Sequence, residues 1–105
     1  YVMVVSMSGV ATCYDAESGT MHWSERLPLQ SRGEFAAAPL VVNGKVYIQN
    51  VYGGNTVVIK PGKTMQVLAE NSLGANRSEL FRATLAPIGG RLYARSQSTL
   101  YCIKP

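Results

Sequence analysis

At 105 residues, with 47% apolar and 15% charged side chains, the chain has the size and composition of one globular domain, neither a disordered polymer nor a membrane span. Its formal charge of +4 comes from ten basic residues, Arg26, Arg32, Lys45, Lys60, Lys63, Arg77, Arg82, Arg91, Arg95 and Lys104. They are spread along the chain beside turns, with no cluster and no interleaved aromatic motif, so a nucleic-acid partner is not expected.

In chain order, the β-branched and aromatic runs predict strands within residues 2–7, 10–15 and 20–27, then 36–42, 45–51, 55–60 and 64–70, then 82–88, 91–96 and 99–104. Asn43-Gly44 is a strong two-residue hairpin signal, and Gly53-Gly54-Asn55 marks another turn. No window carries an apolar period of 3.6 over the roughly 10–12 residues that a helix needs. No run approaches the ~18–20 apolar residues of a transmembrane helix, and no signal-peptide pattern is visible.

The predicted strands recur. Ala37-Ala38-Pro39-Leu40-Val41-Val42-Asn43-Gly44-Lys45-Val46-Tyr47 reads against Ala83-Thr84-Leu85-Ala86-Pro87-Ile88-Gly89-Gly90-Arg91-Leu92-Tyr93 at an offset of 46. Cys13-Tyr14-Asp15-Ala16, Val58-Ile59-Lys60-Pro61 and Cys102-Ile103-Lys104-Pro105 follow one another at 45 and 44, and Arg32-Gly33-Glu34-Phe35 parallels Arg77-Ser78-Glu79-Leu80 at 45. Helical solenoids and four-stranded propeller blades both have units of about this length. The strand signals within the unit select the blade. The expected fold is therefore all-β: a partial β-propeller of about two and a half four-stranded antiparallel blades with a 44–46-residue repeat. Residues 1–27 make a three-stranded partial blade, 36–70 a complete one, and 82–105 a three-stranded terminal one.

Asp15-Ala16-Glu17-Ser18-Gly19-Thr20-Met21-His22-Trp23 resembles the Asp-Ala-x-(Thr/Ser)-Gly-x-x-x-Trp signature of quinoprotein-like (PQQ-like) propeller repeats. Pro39 to Tyr47 is similar to the Pro-Val-Val-x-x-Gly-x-Val-Tyr opening of the same repeat. WD40 blades have a similar length, but their Gly-His and Trp-Asp pairs are absent. In the signature, Asp15 is expected to accept backbone N–H groups in a turn and Gly19 to supply a positive φ. The resemblance implies that Trp23 docks between adjacent blades. It also implies a bacterial protein, periplasmic or secreted, of which this chain is the C-terminal part, its last blade awaiting an outer strand from the N-terminus of the whole. Members of the family include the propeller lipoprotein of outer-membrane assembly.

Few residues offer chemistry. Asp15, Ser18 and His22 lie in one turn and strand with alternating directions, so no hydrolytic triad is expected. One His and two distant Cys do not make a zinc site. Cys13 and Cys102 hold equivalent positions two blades apart, too far for a disulfide, and are expected as free, strand-buried thiols. Quinoprotein dehydrogenases carry a vicinal Cys-Cys and acidic calcium ligands; neither is present, so no cofactor and no metal are expected. Asn76-Arg77-Ser78 has the form of a glycosylation sequon.

The remaining candidates are Arg32, Glu34, Arg77, Glu79 and Arg82, on the connections that run from an outer strand to the next blade's inner strand. Propellers commonly bind ligands at such loops. The arginines would meet an anionic ligand or a protein or polymer partner, or each Arg–Glu pair would simply fix its loop. Closed propellers hold typically 4–8 blades, so the remaining blades of the same protein are an expected partner. The leading function is a non-catalytic scaffold presenting inter-blade loops. The alternative is the C-terminal part of a propeller enzyme, such as a quinoprotein oxidoreductase, with its active site in other blades.

Overall fold

The computed structural model describes residues 1–28 and 34–104. Ten strands form among them: β1 (Val2–Val5), β2 (Val10–Tyr14), β3 (Met21–Arg26), β4 (Leu40–Val42), β5 (Lys45–Gln49), β6 (Thr56–Lys60), β7 (Gln66–Asn71), β8 (Ala86–Ile88), β9 (Arg91–Arg95) and β10 (Leu100–Ile103). Neighbours in sequence pair antiparallel, giving sheets β1-β2-β3, β4-β5-β6-β7 and β8-β9-β10. The chain is all-β, a partial propeller of about two and a half blades. Strands β1, β5 and β9 are repeat counterparts, as are β2, β6 and β10.

Local sequence explains the hairpins. Asn43 and Gly44 take φ of 51° and 71°, and Gly89 and Gly90 take 56° and 76°, the pair of left-handed residues that a type I′ turn needs. These turns set Val42 opposite Lys45 and Ile88 opposite Arg91. A register shift falls between Cys13 and Tyr14 and again between Val58 and Ile59, so even the bulge repeats.

Strands β4 and β8 have three residues each, fewer than the runs 36–42 and 82–88 predict. The backbone ahead of them bonds to other blades instead. Phe35 N–H donates to Met7 C=O (3.0 Å), and Val51 N–H donates to Glu34 C=O (2.7 Å). One repeat later Phe81 N–H donates to Val51 C=O (2.7 Å), and Gln97 N–H donates to Leu80 C=O (3.2 Å). Each inter-blade connection thus lies between the hairpin of the blade before it and the hairpin of the blade after it, bonded to both.

The alternation of side chains packs the sheets face to face. Val46, Ile48, Val57 and Ile59 of the middle blade meet Ala11, Cys13, Trp23, Leu27 and Phe35 in one core. The opposite face of the middle blade carries Tyr47, which packs with Leu40 against a second core of Phe81, Leu85 and Ala94, joined by Leu92, Tyr101 and Ile103. Residues 56–59 of β6 are accordingly buried on both faces.

Cys13 is buried, but Cys102 is exposed, which corrects the expectation of two buried thiols. The two do occupy the same repeat position. Cys13 faces the middle blade, whereas Cys102, opposite Tyr93, lies on the face of the third blade turned away from its neighbour.

Candidate functional site

The edge where the β1–β2, β5–β6 and β9–β10 hairpins meet the inter-blade connections carries most of the charged candidates. Its rigidity comes from polar residues at one repeat position. Asn50, 1% exposed, accepts from Glu34 N–H (3.2 Å) and Tyr52 N–H (3.1 Å) through Oδ1, while its own N–H donates to Asn55 C=O (2.8 Å). Ser96, its counterpart, closes the third hairpin by donating its N–H to Thr99 C=O (2.9 Å). Gln97 clamps the second connection from the side chain as well: Leu80 N–H donates to its Oε1 (2.6 Å), and its Nε2 donates to Ser78 C=O (3.2 Å).

The predicted residues separate on this edge. Glu79 is drawn inward, where its Oε2 accepts from Ser96 Oγ (2.7 Å) and from the Tyr101 hydroxyl (2.6 Å). Glu34 and Arg82 are exposed, and Arg77 stands over the Tyr52 ring at 5.5 Å from its centroid, a cation–π distance. Arg32 lies outside the described residues. Asn76 folds its Oδ1 back onto Ser78 N–H (3.0 Å) and Ser78 Oγ (3.1 Å), the local turn that the sequon's spacing favours. Sequence reasoning did not single out Tyr52, Asn50, Ser96 or Tyr101. The 46-residue spacing of Asn50 and Ser96, polar residues at equivalent strand ends, was the available signal.

The hydroxyls of Ser96 and, next, Tyr101 hold the Glu79 carboxyl below the usual carboxylate range, and the same carboxylate pushes the Tyr101 phenol up. Stability from the depressed Glu79 is present above its unfolded pKa of about 4.3 and is lost as pH falls through the lower folded value. Stability from the raised Tyr101 is present below its unfolded pKa of about 10 and is lost as pH rises through the higher folded one. The difference in urea midpoint between the native chain and Glu79→Gln should therefore be widest between those limits and narrow on either side. A difference that stays constant from pH 3 to pH 7 contradicts a stabilising carboxylate at this position.

The signature turn is built separately. Asp15 Oδ1 accepts from Glu17 N–H (2.9 Å) and Ser18 N–H (3.0 Å), and Gly19, at φ 74°, donates its N–H to Asp15 C=O (2.9 Å). Those two backbone donors, Ser18 first, lower the Asp15 carboxyl. Trp23, 7% exposed, reaches across to the middle blade, where Nε1 donates to Gly62 C=O at 3.0 Å. Cys13 Sγ donates to the same oxygen at 3.6 Å. Asp15 and His22 come closer than simple alternation implies, with His22 Nε2 3.8 Å from Asp15 Oδ2. Asp15 pairs with Thr20 through its N–H (2.8 Å), which makes His22 its diagonal cross-strand neighbour. The Ser18 hydroxyl donates to Thr20 Oγ1 (3.0 Å). Among the described residues no three of His, Cys, Asp and Glu gather as metal ligands.

Hairpin-linked antiparallel sheets repeating every 44–46 residues, with a tryptophan reaching from one into the next, define the class: a propeller-repeat protein. The family model described as outer membrane protein assembly factor BamB matches residues 1–67, well over half of the chain, and the chain belongs to that family of quinoprotein-like repeats. Comparison with curated proteins finds no match. No helix is long and apolar enough to cross a membrane among the described residues.

Proposed function

We propose that the chain is part of a non-catalytic propeller scaffold that presents its inter-blade loops to a protein partner in outer-membrane protein assembly, in the periplasm or on a secreted protein. The observation that carries this reading is the twice-repeated backbone ladder of the connections, from Phe35 N–H to Met7 C=O and from Phe81 N–H to Val51 C=O. It holds Tyr52, Arg77 and Arg82 on a fixed surface, and rigid aromatic and arginine side chains are what protein interfaces rely on most. Glu79 serves that surface from below, as an acceptor that ties the second connection to the third blade. The family's description, outer membrane protein assembly factor, supplies the setting.

The test is binding of the full chain to the outer-membrane protein assembly machinery, measured by biolayer interferometry for the native chain and for Arg77→Glu with Arg82→Glu. The double variant should bind at least about tenfold more weakly, equivalent to about 1.4 kcal/mol, with an unchanged thermal midpoint. Undiminished binding places the contact surface elsewhere.

A further inference from the structure

The two ends of the blades differ in charge. The end with the β5–β6 and β9–β10 hairpins and the connections mixes Glu34 and Glu79 with Arg77 and Arg82. The other end is formed by the β2–β3, β4–β5, β6–β7 and β8–β9 turns and the close of β10. There the middle and third blades carry Lys45, Lys60, Lys63, Arg91 and Lys104, all exposed. No Asp or Glu occurs in residues 40–45, 60–66 or 86–91. Half of the chain's ten basic residues, scattered from position 45 to position 104, thus share one rim. The first blade's turn at that end carries Asp15 and Glu17 instead.

Both blades repeat an arrangement that costs stability. Val46 stands opposite Ile59, so the next pair outward is Lys45 and Lys60. Leu92 stands opposite Ile103, so the next there is Arg91 and Lys104. Like charges directly across a ladder destabilise it. Among the described residues none of the five cations forms an ion pair that would relieve this. A like-charge pair at the same place in consecutive blades is offset by an anionic partner.

The same turns expose apolar groups. Ile88, opposite Arg91, and Val41, beside the Val42–Lys45 pair, are 64% and 66% exposed. Cations beside apolar side chains on protruding turns suit an anionic bilayer. Its phosphates meet the cations, and the apolar groups enter the headgroup boundary. A nucleic acid is less well served, since residues 43–44, 61–65 and 89–90 include no Phe, Tyr or Trp to stack on bases. An acidic peptide needs a strand edge or groove to fix it, and these cations stand on separate turns.

We infer that the rim formed by the β4–β5, β6–β7 and β8–β9 turns docks on an anionic phospholipid surface. It lies at the end opposite the loop surface proposed above and does not depend on it.

The experiment is co-sedimentation of the full chain with vesicles of phosphatidylglycerol and phosphatidylcholine in equal parts, and with phosphatidylcholine alone. Binding to the mixed vesicles should be at least about tenfold tighter than to the neutral ones. It should be lost as NaCl rises to about 0.5 M. Each cation near such a surface contributes about fivefold, so Lys60→Glu with Arg91→Glu should weaken binding at least about tenfold. That double variant turns both like pairs into opposite ones, so its thermal midpoint should equal or exceed the native one. Arg91→Glu alone, at least about fivefold weaker, is the test should the double variant fail to fold. Arg95→Glu makes the same charge change at the far end of β9. Four residues along the strand is ~13 Å, beyond a Debye length, so it should weaken binding less than about twofold. Equal binding to both vesicles, undiminished binding by the double variant, or an equal loss from Arg95→Glu overturns the inference. So does tighter binding to poly-L-glutamate or duplex DNA than to the mixed vesicles, which would assign the rim to a polymer.

Discussion

Trp23→Ala should lower the stability of the chain by about 3–5 kcal/mol, the range for removing a buried aromatic. The ring is 7% exposed and joins the first blade to the second both by packing and by the 3.0 Å bond from Nε1 to Gly62 C=O. Small domains have only about 5–15 kcal/mol in hand, and about 4–8 °C of thermal midpoint goes with each kcal/mol at this size. A drop of at least about 12 °C is therefore expected by circular dichroism. Trp23→Phe separates the two contributions. It keeps most of the ring and removes the N–H, leaving Gly62 C=O with Cys13 Sγ at 3.6 Å, so it should cost about 1–2 kcal/mol. An alanine variant that melts within 3 °C of the native chain would mean that the blades hold together without the ring.

Gly54→Ala should cost about 2–4 kcal/mol, combining overpacking with a left-handed backbone. A Cβ built at Gly54 would lie 2.8–2.9 Å from three atoms of the Phe81 ring, and its φ is +71°. Phe81 is fully buried and its backbone is tied to Val51, so the ring has nowhere to retreat. The first repeat contains the same device in milder form, since a Cβ at Gly9 meets Phe35 Cε2 at 3.0 Å. Gly44, with a φ of +71° and nothing within 4 Å, isolates the conformational part at about 1 kcal/mol. Urea denaturation of the three alanine variants should rank Gly54 first, Gly9 second and Gly44 last. If Gly44→Ala costs as much as Gly54→Ala, the aromatic contact is not what requires the glycine.

The strands, their order and their repeat were legible in the sequence because they rest on local rules. Alternation, β-branched runs and the Asn43-Gly44 turn all act within a few residues. The signature turn was legible for the same reason, as Asp15 and Gly19 complete their bonds inside it. The candidate site was less so. Its named residues lie on the inter-blade connections, but Glu79 turns inward to Ser96 and Tyr101, partners 17 and 22 residues away, while Tyr52 under Arg77 has no local mark.

Cys13 and Cys102 draw the boundary most sharply. They share a residue type and a repeat position on equivalent strands, yet one is buried and the other exposed, because burial depends on which sheet lies opposite. Trp23 and Ala69 differ in the same way: pairing across a repeated bulge makes them counterparts, yet Trp23 is buried against the next blade and Ala69 is only half-buried. By itself the sequence determined the blades, since a strand's periodicity is a property of the chain beside it. What lies between the blades was decided by tertiary structure, because those contacts join residues that no local pattern relates.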